Sequence, residues 1–275
     1  MSGTLYVVAT PIGHLGDLSA RAVETLKTVE IIAAEDTRRT AALLAHLQHR
    51  APQLLSMHEH NEAQVTPLLL RELQAGHDVA IVSDAGTPLL NDPGFAVVGA
   101  AYAADVRVEP IPGPSALATA LSVCPLPSYP FLFVGFLPAK AGARRASLQS
   151  YVQRPEALAF FEAPHRMLAT LGDLAALTQR PIMVARELTK RFETVLVGSA
   201  GEVAQQLGAT PKGEFVCILA AERGLEGPGE ALQLHGVLGV LLKEVGASQA
   251  AKIAAKLCGV SKSVAYEAAL SLQDR

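Results

Sequence analysis

The segment 78–94 reads DVAIVSDAGTPLLNDPG, an apolar run that breaks into small residues around a carboxylate. Val79–Val82 has the composition of a buried strand, and Ser83-Asp84-Ala85-Gly86-Thr87-Pro88 follows it directly. Small residues let a backbone come close to a ligand, and amides exposed there can hydrogen-bond it. Two further loops after predicted strands have the same character: Thr10-Pro11-Ile12-Gly13 and Pro112-Gly113-Pro114-Ser115-Ala116. Turns need Gly and Pro for their own geometry, so one such loop would carry little weight. Three on one sheet point to a ligand crevice, which in open α/β sheets lies beyond the carboxyl ends of the strands. The chain has no GxxxxGK[ST] phosphate loop and no GxGxxG after its first strand. Nucleotide hydrolysis and dinucleotide redox chemistry are thereby disfavoured.

Charged clusters also end predicted strands. Glu35-Asp36-Thr37-Arg38-Arg39 can face the same crevice, while Asp36 or Thr37 can cap the next helix. Glu162-Ala163-Pro164-His165-Arg166 and Arg186-Glu187-Leu188-Thr189-Lys190 hold matching places further along; they read as a second wall of a site or as structural ion pairs. Pro138–Arg154 holds Lys140, Arg144, Arg145 and Arg154 and no acid. It reads as a loop leading into a basic helix, either a solvated surface or a phosphate-binding patch. Met57-His58-Glu59-His60-Asn61-Glu62 offers an H-x-H pair, which can ligate zinc from a strand. With no third ligand set evident, a polar loop facing the cleft is the better reading, and no metal is expected.

The elements that must carry these residues follow from periodicity. Up to Leu121 short β-branched runs alternate with amphipathic stretches whose apolar residues recur at three and four. Strands are predicted at Leu5–Ala9, Glu30–Ala34, Gln53–Met57, Val79–Val82 and Val106–Pro110. Helices are predicted at 18–27, 37–47, 62–75, 93–104 and 115–121. That alternation implies a parallel sheet covered on both faces. After the Pro-rich segment Pro125, Pro127, Pro130, strands are expected at 131–134, 157–161, 182–186, 194–197 and 215–221. Fewer helices intervene (144–151, 165–177 and 202–207), which implies a mixed sheet. Gly224–Gly229 reads as a second linker, and Leu232–Leu272 is helical. Within it, a helix 249–257, a turn at Cys258-Gly259-Val260 and a helix from Ser261 fit a helix-turn-helix or a helical hairpin that closes the fold equally well. The division is therefore an α/β unit at 1–124, a second α/β unit at 125–225 and a helical segment at 230–275.

The chain has 275 residues, half of them apolar, and a net charge of −3. Any contact with nucleic acid must therefore come from a local patch. The N-terminus lacks the features of a signal peptide, and no apolar run approaches the roughly 18–20 residues that span a bilayer. Cys124, Cys217 and Cys258 lie far apart among apolar neighbours and read as free buried thiols. A cytoplasmic protein that is not membrane-bound is expected.

Taken in order, LYVVATPIGHLGDLSARAVETLKTVEIIAAEDTRRT, SMHEHNE, VSDAGTPLLNDPG, PIPGPSALATALS, FVGFLP, EAPHRM and ARELTKRFET resemble the bacterial 16S ribosomal RNA (cytidine-1402) 2′-O-methyltransferases. These belong to the tetrapyrrole-methylase-like, class III, S-adenosylmethionine-dependent methyltransferases. The resemblance runs from about Thr4 to Ala220 and continues more weakly through the C-terminal helices. It implies two αβα domains with the donor in the cleft between them, and a homodimer. It implies donor contacts at Ile12, Asp84, Ala85, Gly86, Thr87, Ser115 and Ala116, with the adenosine pocket walled by Glu162-Ala163, Glu187-Leu188 and Lys212-Gly213-Glu214. His14 departs from the asparagine that the family pattern has there, polar for polar.

The reaction so implied is methyl transfer from S-adenosylmethionine to a ribose hydroxyl of 16S rRNA in the small ribosomal subunit. The protein would supply position and a route for the proton. Lys190 with a lowered pKa, paired with Glu187, is the expected base; Arg186, Glu35, Asp36, His165 and Arg166 are further candidates. Arg38 and Arg166 are expected to hold RNA phosphates or the nucleotide, with Arg144, Arg145 and His165 in RNA contact. A methylase of tetrapyrroles or other small molecules, and a non-catalytic RNA-binding protein, are the competing readings.

Overall fold

The computed structural model describes residues 2–49, 52–222, 230–258 and 260–273. The linker expected at Gly224–Gly229 and Gly259 of the expected turn lie outside the described residues. The first half runs β1 (Thr4–Val8), α1 (Ala20–Thr28), β2 (Ile31–Ala34), α2 (Thr37–His46), β3 (Gln53–Ser56), α3 (Glu62–Ala75), β4 (Val79–Val82), α4 (Phe95–Ala103), β5 (Arg107–Ile111) and α5 (Ala116–Ser122). The five strands pair in the order β3-β2-β4-β1-β5, and every pairing is parallel. β2 and β4, IIAA and VAIV, are buried throughout, as strands covered on both faces must be. Leu5, Ile81, Leu69 and Val97 lie in the core on one face; Val8, Ile32, Leu26 and Leu44 lie in the core on the other. Val82 lies level with Val8 and with Ala34, and Val8 with Ile111. The loops after β1, β2, β4 and β5 therefore open at one edge.

The second half runs β6 (Phe131–Phe136), α6 (Ala141–Val152), β7 (Ala157–Glu162), α7 (Met167–Leu177), β8 (Ile182–Arg186), β9 (Thr194–Gly198), α8 (Ala200–Leu207) and β10 (Phe215–Leu219). The order is β6-β7-β10-β8-β9; β6 pairs parallel with β7, and the other pairs are antiparallel. The mixed sheet expected from the sequence is present. Phe215, at the start of β10, stands opposite both Glu162 and Arg186. The two charged clusters that follow β7 and β8 thus share an edge with the loop entering β10. β6 runs two residues past its expected end, through a register shift at Gly135, whose φ is +62°. Helix starts moved where a cap decided them. Ser19 accepts from the Ala22 N–H at 3.1 Å, so α1 begins at Ala20. Ser199 and Glu202 form a capping box, so α8 begins at Ala200.

α5 lies on the amino-terminal side of the expected 124/125 boundary, yet its Ala120 packs with Ala159, Met183, Val216 and Ile218 of the second sheet. Ile12 and Leu188 join the same core. The helices α9 (Glu230–Leu241), α10 (Ala247–Cys258) and α11 (Lys262–Gln273) pack on one another around Leu238, Ala250, Ala254 and Ala265. Of the cysteines, all free, Cys217 and Cys258 are buried and Cys124 is half-buried. Among the described residues no helix is long and apolar enough to cross a membrane.

Candidate active site

The two strand edges face each other across a cavity of about 380 Å³. From the first sheet it takes Ile12, Asp84, Ala85, Gly86, Thr87, Ser115 and Ala116; from the second, Glu162, Ala163 and Leu188. All ten were expected donor contacts. Gly213 does not line it. A Cβ on Gly213 would lie 2.5 Å from Cγ of Glu187, at a φ of +97°, so this glycine lets the loop pass Glu187 and deliver Glu214.

Hydrogen bonds fasten the three loops of the first sheet together. Thr10 and Gly86 exchange backbone bonds at 2.9 and 3.0 Å, and Oγ1 of Thr10 donates to the Ser83 carbonyl at 3.1 Å. Oγ1 of Thr87 donates to the Pro114 carbonyl at 3.0 Å. Gly86 sits at φ +84°, where a side chain is strained. An added Cβ there would stand 3.4 Å from the Ile12 side chain. The Asp84 carboxylate accepts the Asp36 N–H at 2.9 Å and lies 3.4 Å from Arg39. Glu35 also lines the cavity and accepts the Asp84 N–H at 3.3 Å.

Asp92, not singled out from the sequence pattern, lines the cavity beside Asn91. Burial pushes its carboxyl up to about 6, against a hydrogen bond from Ser83, and the neighbouring Glu35 and Asp84 push the same way as burial. The sequence signal was available in Asn-Asp-Pro-Gly after a strand. Phe136 and Phe161 form an apolar wall, their rings 5.7 Å apart. Phe136 escaped notice because β6 was expected to stop before it.

The second sheet's charges are mostly spent on one another. The side chain of Glu162 is fully enclosed, 3.0 Å from Nε of Arg166 and 2.6 Å from Oγ1 of Thr170. Arg166 also donates to the Leu137 and Pro138 carbonyls, and only 15% of its side chain is exposed. An RNA contact for Arg166 is thereby corrected: the guanidinium is a buried brace. Arg144 is corrected likewise, because it pairs with Asp173 at 2.9 Å with both side chains buried. Arg145 reaches the same carboxylate at 2.9 Å but stays 62% exposed, and His165 is exposed. The acid that neutralises Arg144 comes from α7, outside the segment in which none was found.

Lys190 stands 3.0 Å from Glu187 and 2.9 Å from Glu214. Burial alone would lower its pKa, but the hydrogen bonds to Glu214 and Glu187 outweigh it and raise the pKa above the usual lysine range. The expected lowered pKa is corrected: this lysine keeps its proton. Burial raises Glu187, but the Glu214 N–H and Lys190 bring it below the usual range. The turn that carries these groups is strained, with Glu187 at φ +51° and Thr189 at +64°. It packs against the first loop, where His14 N–H donates to Oγ1 of Thr189 at 3.1 Å and a Cβ on Gly13 would lie 2.5 Å from Cγ of Lys190. His14 itself caps the short turn at Leu15–Asp17 through Nδ1, 3.1 Å from the Gly16 N–H.

Asp36 caps α2 by accepting the Arg38 N–H at 2.9 Å and clasps the Arg38 side chain, which holds its carboxyl down at about 2. As an expected base it is corrected, since a carboxylate so committed has little appetite for a proton. Arg38 is 89% exposed. Residues 57–62 line neither this cavity nor its neighbour; Glu62 instead accepts the Gly94 and Ala96 N–H groups ahead of and inside the first turn of α4. The polar loop expected to face the cleft braces a helix start. Among the described residues no group of three or more His, Cys, Asp and Glu is placed to hold a metal ion.

A second cavity of about 340 Å³ adjoins the first, sharing Ile12, Arg39, Asp84, Ala85 and Glu214 with it. Pro11, Leu15, Thr40, Ala42, Leu43 and Lys190 complete much of its wall.

The chemistry of the first cavity fits S-adenosylmethionine. Small residues and a positive-φ glycine make room, aromatic and apolar walls suit an adenine, and Asp84, Asp92 and Glu35 suit a cationic sulfonium and ammonium. A parallel sheet and a mixed sheet meeting at such a cleft define a tetrapyrrole-type methylase, and the profile of the Tetrapyrrole (Corrin/Porphyrin) Methylases matches residues 4–204. In fold the chain is similar to the methyltransferase CobJ (TM-score 0.62, 18% identity, covering 80% of this chain and 95% of that one). It is also similar to uroporphyrin-III C-methyl transferase from Thermus thermophilus, a structure complexed with S-adenyl homocysteine (TM-score 0.57, 20% identity, 78% and 97% covered).

Sequence narrows the family further. The chain is 48% identical to ribosomal RNA small subunit methyltransferase I of Xylella fastidiosa, over 96% of this chain and 98% of that one. It is 44% identical to the protein of that name in Pseudomonas aeruginosa, over 100% and 99%. The RsmI C-terminal HTH domain profile matches residues 229–273, resolving the two readings of the helical tail. The chain belongs to the ribosomal RNA small subunit methyltransferase I family.

Proposed function

We propose that this protein transfers a methyl group from S-adenosylmethionine to the ribose 2′-hydroxyl of cytidine 1402 in 16S rRNA of the small ribosomal subunit, in the cytoplasm. The observation that carries the reading is the convergence of loops from both sheets on one cavity whose shape and charge suit that donor. The donor supplies an activated methyl on a sulfonium. The chain's own task is therefore to orient two reactants and handle one proton.

Ile12, Ala85, Gly86, Ser115, Ala116, Ala163 and Leu188 shape the donor site, with Asp84 as its fixed charge. Lys190, kept protonated by its two carboxylates, is a cation for a developing alkoxide. Glu187 positions it, and Glu214, which lines both cavities, is the carboxylate best sited to accept the hydroxyl proton. Arg38, Arg145 and His165 remain the exposed candidates for RNA contact. The helical tail adds Lys252 and Lys256 on the α10 surface. Deleting Leu232–Arg275 should weaken RNA binding by about tenfold while donor affinity stays within about twofold, measured by fluorescence and calorimetry. A homodimer is part of the proposal: α4 exposes Phe95 (81%) and Tyr102 (66%), with Gly99 between them and no charged residue along the helix.

The deciding assay incubates the protein with labelled donor and undermethylated small subunits and maps 2′-O-methyl riboses. Methylation of that cytidine is expected. Transfer to a tetrapyrrole only, or RNA binding without transfer, would overturn the proposal.

A further inference from the structure

We propose that the second cavity is the pocket for the target nucleotide, with the ribose at the wall it shares with the donor cavity and the base against Pro11, Leu15 and Leu43. This rests on the RNA-methylating function proposed above. Three observations carry it. The first is contiguity: the cavities share Ile12, Arg39, Asp84, Ala85 and Glu214, so they lie against one another. A methyl transfer requires that adjacency, because the ribose oxygen must reach the methyl carbon as the bond from that carbon to sulfur breaks. The electron pair goes to sulfur, and the hydroxyl proton goes to a carboxylate at the junction.

The second observation is size. The first cavity, at about 380 Å³, lies within the range of small-molecule sites by itself, and the second, at about 340 Å³, is left for another group of similar bulk. The third is charge. The donor is cationic, and the first cavity holds Asp92 and Glu35, which the second lacks. A nucleotide brings a phosphate and a reacting hydroxyl: Arg39 of the shared wall can meet the phosphate, and Lys190, which lines only the second cavity, the hydroxyl. Arg39 is 61% exposed and its contact with Asp84 is a loose 3.4 Å, so the guanidinium can turn toward a phosphate. The other ionisable groups of the second cavity, Asp84 and Glu214, are both on the shared wall. The apolar side chains of Pro11, Leu15 and Leu43 in this lining suit a base swung out of its stack.

Leu15→Trp and Ala42→Trp test this in the full-length protein. Both positions are exposed and line only the second cavity, so an indole there fills it without entering either core. Calorimetry with S-adenosylmethionine and S-adenosylhomocysteine should give affinities within about twofold of the parent. Single-turnover methylation of small subunits should fall by about fiftyfold or more. Binding of a 16S fragment containing the unpaired cytidine, measured with S-adenosylhomocysteine present, should weaken by about tenfold. Unchanged methylation and RNA affinity in both variants would overturn the assignment. So would a parallel loss of donor affinity, which would make the cavity an extension of the donor site. A parent protein that methylates no RNA would instead remove the functional reading, and the pocket's assignment with it.

Discussion

Both walls of the cleft carry charged sequence clusters, one on the first and two on the second, but they use them differently. On the first wall, loops follow parallel strands, and backbone bonds such as Thr10–Gly86 hold them, so Glu35 and Asp92 reach the cavity without an ion-pair partner among the described residues. On the second wall, Glu162 is tied to Arg166, and Lys190 to Glu187 and Glu214; between α6 and α7 of the same half, Arg144 is tied to Asp173. The first wall pairs Asp36 with Arg38 and Asp84 with Arg39 but leaves Glu35 and Asp92 for a ligand, while the second commits Glu162, Glu187 and Lys190 to a frame. A charged cluster at a strand end therefore says little about function until its partners are known, because a buried charge must be paired.

The largest expected effect breaks the frame. Arg144→Ala should destabilise the protein by about 4 kcal/mol, since Asp173 is left buried and half unpaired, while RNA affinity of the folded fraction stays unchanged. Denaturant unfolding and a binding titration check both halves of that statement. A loss of RNA affinity at full stability would return Arg144 to the RNA surface. On the opposite wall, Gly86→Val should cut donor affinity by about a hundredfold, roughly 2.7 kcal/mol, with the fold retained. Calorimetry with S-adenosylhomocysteine reads it directly, and undiminished affinity would reduce the loop to a turn.

Lys190→Ala should slow single-turnover methylation by about thirtyfold, roughly 2 kcal/mol, with donor affinity unchanged. Wild-type turnover in a folded variant would leave the lysine a brace like its neighbours. The smallest effect concerns Asp92. Its folded pKa of about 6 lies above the ordinary aspartate value of 3.8, so its contribution to stability is full below the lower value and lost as pH rises through the upper one. Asp92→Asn should therefore stabilise the protein at pH 7.5 by about 1 kcal/mol, after allowance for solvent screening at a half-open site, and change little at pH 4. Melting curves at the two pH values decide it; equal effects at both would mean that the carboxyl is not perturbed.

Much of this was legible beforehand. Strand runs such as VAIV and IMVAR are β-branched and apolar, and the loops that follow them announce themselves by Gly and Pro. The ten lining residues named from family resemblance meet at one cavity because sheet register aligns the strand ends. What escaped depends on contacts distant in sequence. Arg144 looks free until Asp173 approaches from α7, and Lys190 looks like a base until Glu214 arrives from the loop before β10. Glu62 looks like part of a cleft until it is found holding the start of α4. The reach of β6 to Phe136 turns on an irregular register that no local preference specifies.

Ile12 has a consequence for how the molecule melts. It borders both cavities and is also 7% exposed within the core that joins α5 to the second sheet. Prising the halves apart would wet Ile12, Ala120, Leu188 and Val216 together, at roughly 1.5–3 kcal/mol for each large side chain. The two sheets should accordingly unfold as one cooperative unit in scanning calorimetry, and ligand bound at their seam should raise the melting temperature of both.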